Sequence, residues 1–394
     1  MFKGFTPQEK RVVLIISFAV VVRMLGLFLL LPVLSPYLKT LEGASPESIG
    51  LAIGIYGLAQ ALLQIPFGYL SDKYGRKPVI VFGMLSYALG SIMAGLVSNI
   101  WSMVFARFVQ GFGAVSSAMV ALSADLTREE IRTRAFATIG ASIGLTFALS
   151  LVIAPPLAGR FGVPFIFFTT ALLSLLVVFL IAFTVPEPKE HARDREIKPS
   201  LRNFSLLIKS KDQLFLNLSI ALLHAYMVGI FTLVPYELVY TYSFPKVKHW
   251  EIYLPAVLLS MLLMVPAVIF AEKKKKFKHV FLAGILSLGF AFLVHELFGN
   301  FLGLVLMVFF FFLGFHFLEP VIPSLLTRLT HKDIRGLSLG FFNTTQFLGA
   351  FLGGIWGGFA LKGGHEYLTK IGLLTSIGWL ILTLLWFRGL EDKL

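Results

Sequence analysis

Four ionisable side chains lie inside long apolar stretches of this sequence: Arg23, His224, His316 and Glu319. At bilayer depth each would cost roughly 2.5–3.5 kcal/mol on insertion scales, so each calls for a partner or a task. His316 and Glu319 are three residues apart, which puts them on one face of a helix. A carboxyl and an imidazole so placed can take up and release a proton, and the guanidinium of Arg23 can bind an anionic group or tune a carboxylate. The structural alternative is an ion pair or hydrogen bond between helices, above all for the histidines, since a neutral imidazole is satisfied by one backbone or side-chain partner. Arg107 is a further cation within an apolar run, and uncharged polar residues recur in the same runs: Tyr56, Gln60, Gln64, Gln110, Asn343 and Gln346. Any one of these can be interhelical glue worth about 0.6 kcal/mol; together they mark a solvated path. The sequence has no phosphate-binding P-loop, no H-E-x-x-H and no G-x-S-x-G, which argues against ATP-driven pumping and hydrolysis.

Composition says what kind of scaffold must position these groups. Of 394 residues, 57% are hydrophobic and 14% charged, with a mean hydropathy of +0.84, which excludes a soluble domain around a single core. Apolar stretches able to cross a bilayer as helices, at roughly 20 residues each, fall at 12–38, 48–71, 78–97, 101–124, 135–159, 164–185, 213–240, 250–271, 279–296, 301–326, 336–361 and 367–387. They are too long and too continuously apolar for barrel strands, and a helix satisfies its own backbone in lipid. The expectation is an all-α integral membrane protein with twelve transmembrane helices. The first run exceeds a signal-peptide core and no small-residue cleavage site follows it, so it is read as a retained helix. With no cysteine there is neither a disulfide nor a thiolate metal site, and no metal or cofactor is expected.

The basic residues alternate between the two sides of this arrangement. Of 34 Lys and Arg, 26 fall in loops on the side of the N-terminus and 6 on the opposite side, while Arg23 and Arg107 lie within spans. By the positive-inside rule both termini face the cytoplasm, as for a multi-pass protein of a cell inner membrane. The net charge of +13 is then explained without nucleic acid. The Lys273–Lys278 run suits an anchor on anionic lipid head groups, at about 1 kcal/mol per basic residue.

A polar stretch, Pro186–Gln213, separates six apolar segments from six more. This divides the chain into an N-terminal bundle (1–185), a cytoplasmic linker (186–212) and a C-terminal bundle (213–394), read as a monomer. Residues two hundred positions apart agree in character: Phe270-Ala-Glu-Lys-Lys parallels Leu70-Ser-Asp-Lys-Tyr, and Leu326-Thr-Arg parallels Leu126-Thr-Arg. Gly57, Gly68, Gly111, Gly113, Gly349, Gly353 and Gly354 are placed to let helices approach closely.

The loop after the second span reads Gly68-Tyr-Leu-Ser-Asp-Lys-Tyr-Gly-Arg-Lys77, followed by Pro78. Asp72 offers an acceptor to helix-end amides, Gly75 allows a tight reversal, and Arg76 and Lys77 hold the loop at the membrane surface. This string resembles the signature loop of the major facilitator superfamily, G-x-L-[SA]-D-[RK]-x-G-R-[KR], at every specified position. Arg107-Phe-Val-Gln110-Gly111 resembles that family's second motif. The fifth span is similar to the antiporter motif in Ala141, Ser150, Ala154, Pro155, Ala158 and Gly159, with Ala or Ser where several glycines are expected. Arg23–Leu34, Gly54–Gln60, Ser123–Glu129 and Ser338–Gly349 resemble the YajR-like branch, whose type member has a soluble domain after its twelfth helix; this chain stops at Leu394 and is expected to work without one.

The resemblance implies a secondary transporter for a small solute, of the drug or metabolite efflux type. Its site would lie between two rocking halves near the midplane, with coupling to protons. It further implies that Asp72 contacts the start of helix 11 and that Arg76 pairs with Asp125 in the outward-facing state, so that Gly68, Asp72, Gly75, Arg76, Lys77 and Asp125 act as a conformational latch.

Overall fold

A computed structural model describes residues 4–188, 201–331 and 334–389, with backbone only for 201–204. Residues 189–200 of the linker expected between the halves, and the basic residues Lys332 and Lys393, lie outside these residues.

The first crossing is made by α1 (Pro7–Phe28) and α2 (Leu34–Leu38). Thr6 opens α1 with a capping box to Glu9. The break after Phe28 falls four residues before Pro32, whose ring would clash with that carbonyl in a continuous helix. Then come α3 (Pro46–Tyr74), α4 (Arg76–Leu96), α5 (Ile100–Gln110), α6 (Ser116–Asp125), α7 (Glu129–Phe161) and α8 (Val163–Thr184). Gly75 turns α3 into α4 at φ +101°, a conformation that penalises any Cβ. The span expected at 101–124 is therefore two helices, α5 and α6. The interruption frees the carbonyl of Gly111, because the Val115 N–H donates instead to Gly113.

A short helix, α9 (Leu201–Lys209), precedes α10 (Lys211–Tyr240). The rest of the second half is α11 (Trp250–Lys273), α12 (Phe277–Phe298), α13 (Phe301–Leu329), α14 (Arg335–Gly363) and α15 (His365–Arg388). Ten helices among the described residues are long and apolar enough to span a membrane. The broken α5–α6 pair and the glycine-rich α14 complete the twelve crossings. Two six-helix halves result, α1–α8 and α10–α15.

The halves touch at the end remote from the termini. There α3 crosses α14 almost backbone to backbone: a Cβ on Gly54 would lie 2.6 Å from the Phe351 carbonyl oxygen, and one on Gly354 2.6 Å from the Gly54 Cα. Polar contacts reinforce this end. Tyr240 donates to the Pro36 carbonyl (3.0 Å), Lys39 bonds Tyr236, and Lys362 pairs with Glu47 at 2.5 Å. A second seal packs Phe147 of α7 against Phe312 and Phe315 of α13, with ring centroids 6.1 and 5.7 Å apart.

Toward the termini the same faces part. Gly144 and Gly140 lie one and two turns from Phe147 on its face of α7, and Gly340 lies two turns from Phe347 on its face of α14. A Cβ on any of the three would meet nothing within 4 Å. The apolar core agrees: one cluster runs the length of the second half and joins the first half only at the remote end, whereas a second, around Ile16, Met84 and Met119, belongs to the first half alone. The two halves thus form a wedge that opens toward the termini.

Candidate functional site

Two charged clusters face one another across the roof of this wedge. In the first half, Arg23 of α1 and Arg107 of α5 are each only 1% exposed. Arg23 donates to Gln60 Oε1 (3.0 Å) and weakly to Met24 Sδ (3.5 Å), and its guanidinium lies 5.9 Å from the Phe347 ring. Gln60 is held in turn by Tyr56 Oη (3.3 Å) and by the freed carbonyl of Gly111 (3.0 Å). The helix break therefore positions the residue that receives Arg23. Arg107 donates to the Gly26 carbonyl (3.2 Å) and to Gln110, lies 4.6 Å from the Tyr56 ring centroid, and Gln110 donates onward to Ser91 (2.8 Å). Among the described residues every partner of the two guanidiniums is neutral, and the Nε of each has none. Buried cations normally sit against a carboxylate, because desolvation costs several kcal/mol per ion.

In the second half, Glu319 of α13 is half-buried, with Oε1 4.0 Å from His224 Nε2 of α10 and Oε2 buried without a hydrogen-bond partner. His224 Nδ1 lies 3.2 Å from the Ile220 carbonyl, which makes it the protonated nitrogen. Nε2 therefore accepts from Gln346 Nε2 of α14 at 2.7 Å. His316, expected to work beside Glu319, instead meets Ser260 of α11 at 2.8 Å and stacks on Phe312. The helical face they share does not make them partners; α10 supplies the histidine that Glu319 meets. Asn343 lies half-buried on α14, one turn from Gln346, while Gln64 is buried with neither amide atom bonded.

Phe347 and Phe147, which composition could not distinguish among forty phenylalanines, form the roof between the clusters. Beyond it, a space of about 10 Å³, walled by Leu31, Ile53, Tyr56, Arg107, Phe231 and Phe347, has room for about one water.

Several of the residues expected to act as a latch are in contact. Arg76 is bound at once to Asp72, to Asp125 (3.3 Å) and to Ser71 Oγ (2.9 Å). The Arg76–Asp125 pair thus forms with the wedge open at the termini, and is not confined to the opposite arrangement. Lys77 caps α8, donating to the carbonyls of Ala182 (3.2 Å) and Val185 (2.8 Å). A Cβ on Gly68 would meet only Ser117 Oγ, at an ordinary 3.6 Å. In the second half Glu272 binds Arg328 and Ser324, a counterpart two hundred residues on. Arg128 is tied to Glu9 at 2.9 Å, and that carboxylate raises the pKa of its guanidinium.

No metal was expected, yet Glu237, His295 and His365 bring their ligating atoms within 4.8 Å of one another at the remote end of the second half.

Two six-helix bundles with opposed buried charges at their interface define a membrane carrier. The sequence profile of the Major Facilitator Superfamily matches residues 16–390, and the chain belongs to that superfamily. It is 39% identical to the inner membrane transport protein YajR of Escherichia coli over 90% of this chain and 78% of that protein. It is 26% identical to the multidrug resistance protein MdtH of Salmonella typhimurium over 90% of each. A bacterial homolog of the human lysosomal transporter Spinster, solved inward-facing and unoccupied, shares the fold with a TM-score of 0.77 at 14% identity, covering 96% of this chain and 98% of that one.

Proposed function

We propose that the protein is a proton-coupled carrier that moves a small solute with an anionic group by alternating access, as an antiporter of the drug or metabolite efflux type. It acts as a monomer in a cell inner membrane with both termini cytoplasmic. The observation that carries this is Glu319, half-exposed at the roof of the wedge with one oxygen unbonded and a histidine across from the other. A proton on His224 Nε2 would turn that nitrogen from acceptor to donor, release Gln346 and draw in Glu319, so proton occupancy is tied to an α10–α14 contact. The neutral shell of Arg23 and Arg107 favours an anion over a carboxylate partner. The name of the Salmonella relative supports the efflux class, and the 26-to-6 distribution of basic residues supports the orientation.

The coupling is tested in proteoliposomes, with a substrate found by ligand-dependent thermal stabilisation. Flux driven by a pH gradient should collapse in Glu319→Gln while counterflow exchange persists; unaltered gradient dependence would remove the assignment. A wild-type protein indifferent to the pH gradient would point to a uniporter or a sodium-coupled carrier. Failure of any solute to stabilise it would favour a non-transporting receptor or scramblase.

Closure of the wedge brings α14 toward the loop after α3. In that state Asp72 leaves Arg76 for the amides that begin α14, where a carboxylate gains roughly 0.3–1 kcal/mol. Asp72→Asn should therefore hold the protein in the present arrangement and slow transport several-fold. The same transport rate and the same distribution of conformations as wild type would end the latch idea.

A further inference from the structure

We propose that Glu237, His295 and His365 form a binding site for a zinc-class divalent metal ion at the end of the second half remote from the termini. Glu237 lies in the last turn of α10, His295 in the last turn of α12 and His365 at the first position of α15. His295 Nε2 stands 3.4 Å from Glu237 Oε2, and His365 Nδ1 stands 3.9 Å from Glu237 Oε1, with the imidazole centroids 5.0 Å apart. Ligands about 2.0–2.1 Å from a tetrahedral ion are separated by about 3.4 Å. One edge of that tetrahedron is already present, and with all three ligating atoms within 4.8 Å of one another the other two would close by an inward movement of the His365 ring.

Burial makes the cluster more than a chance meeting. His295 is 1% exposed and Glu237 7%, yet among the described residues both ring nitrogens of His295 and Oε2 of Glu237 lack a hydrogen-bond partner. Polar atoms buried in this way normally carry a penalty of about 1–3 kcal/mol each. A cation between them would satisfy the carboxylate and one imidazole nitrogen together. Lys370, five residues after His365 on α15, is engaged by Glu366 (2.6 Å) and Glu296 (3.6 Å).

Two imidazoles and one carboxylate suit zinc and its neighbours among the transition metals rather than magnesium or calcium, which favour all-oxygen shells. His365, with about a third of its side chain exposed, marks the open side from which an ion enters and where a water completes the shell. The three residues come from three helices far apart in sequence, so no spacing motif announces them. The site is also separate from the transport cluster: the ion would tie the outer ends of α10, α12 and α15 together, next to the turn of α10 whose Tyr236 and Tyr240 hold the first half.

The test uses full-length protein carrying a tag without histidine, stripped with chelator and titrated with ZnCl2 by calorimetry. CoCl2 is added in parallel to read the coordination spectrum. The expected result is one equivalent bound per chain, a tetrahedral cobalt spectrum and a raised melting temperature, with no response to MgCl2 or CaCl2. His365→Ala, at the exposed ligand, should leave the metal-free melting temperature unchanged and weaken zinc by about tenfold or more. Glu237→Gln should do the same to binding, whereas Glu366→Gln should not. Absence of stoichiometric zinc binding by the wild type would overturn the proposal, as would undiminished affinity in both His365→Ala and Glu237→Gln.

Discussion

Gly354→Leu will break the contact between the halves at the end remote from the termini and drive the protein out of its present arrangement. A Cβ at this position would lie 2.6 Å from both the Cα and the N of Gly54 and 2.7 Å from the Gly50 carbonyl oxygen, all backbone atoms with no rotamer to yield. Relief can come only from separation of α3 and α14. Overpacking of this kind costs about 1–3 kcal/mol, and each 1.4 kcal/mol is about tenfold in population. The wedge arrangement should therefore lose roughly a hundredfold of its weight at the upper end of that range. A chain without cysteine makes the measurement direct. Spin labels on Arg160→Cys and Lys246→Cys, next to the Gly159–Val247 contact between the halves, should give a short, narrow distance distribution in the parent and a longer one with Gly354→Leu added. If both distributions coincide, the α3–α14 crossing is not what holds this end shut.

How much of this was legible beforehand depends on whether a feature is written in one stretch of chain or in several. The twelve crossings were readable because lipid forces each apolar run to satisfy its own backbone, and the Gly68–Lys77 loop because its residues are contiguous. The breaks in the first and fourth crossings were not, although Pro32 and the Gly111–Gly113 pair stand at them; a run of hydropathy is blind to a helix that stops and restarts in apolar surroundings. At the site, the pairing of the ionisable residues was not legible. Helical periodicity put His316 beside Glu319, but only tertiary packing could turn His316 to Ser260 and bring His224 from α10. The neutral shell around Arg23 depends on a carbonyl released by a helix break three crossings away. Phe147 and Phe347 were invisible for the opposite reason: their type is common, and position alone makes them a seal.

Arg23→Met will separate the two roles a buried arginine can have. Were the guanidinium a structural tie, its removal would destabilise the protein, since a buried polar partner left unbonded costs about 1–3 kcal/mol. That cost falls on Gln60 Oε1 alone, because Gln60 Nε2 keeps Tyr56 and the Gly111 carbonyl as its acceptors. Against it stands the desolvation of a cation that meets no carboxylate; replacing buried charge with an apolar side chain of similar volume is often neutral or stabilising by about 1–4 kcal/mol. The ligand-free melting temperature of Arg23→Met should accordingly equal or exceed that of the parent. Its response to solutes should change in the other direction: in a thermal-shift panel of organic anions paired with neutral analogues, the anions that stabilise the parent should fail to stabilise Arg23→Met. Arg23→Lys should recover only part of the effect, because an ammonium carries the charge without the planar fork that grips a carboxylate or phosphate at two points. A marked fall in melting temperature with undiminished anion response would make Arg23 a packing residue, and the charge that attracts substrate would then have to be sought at Arg107.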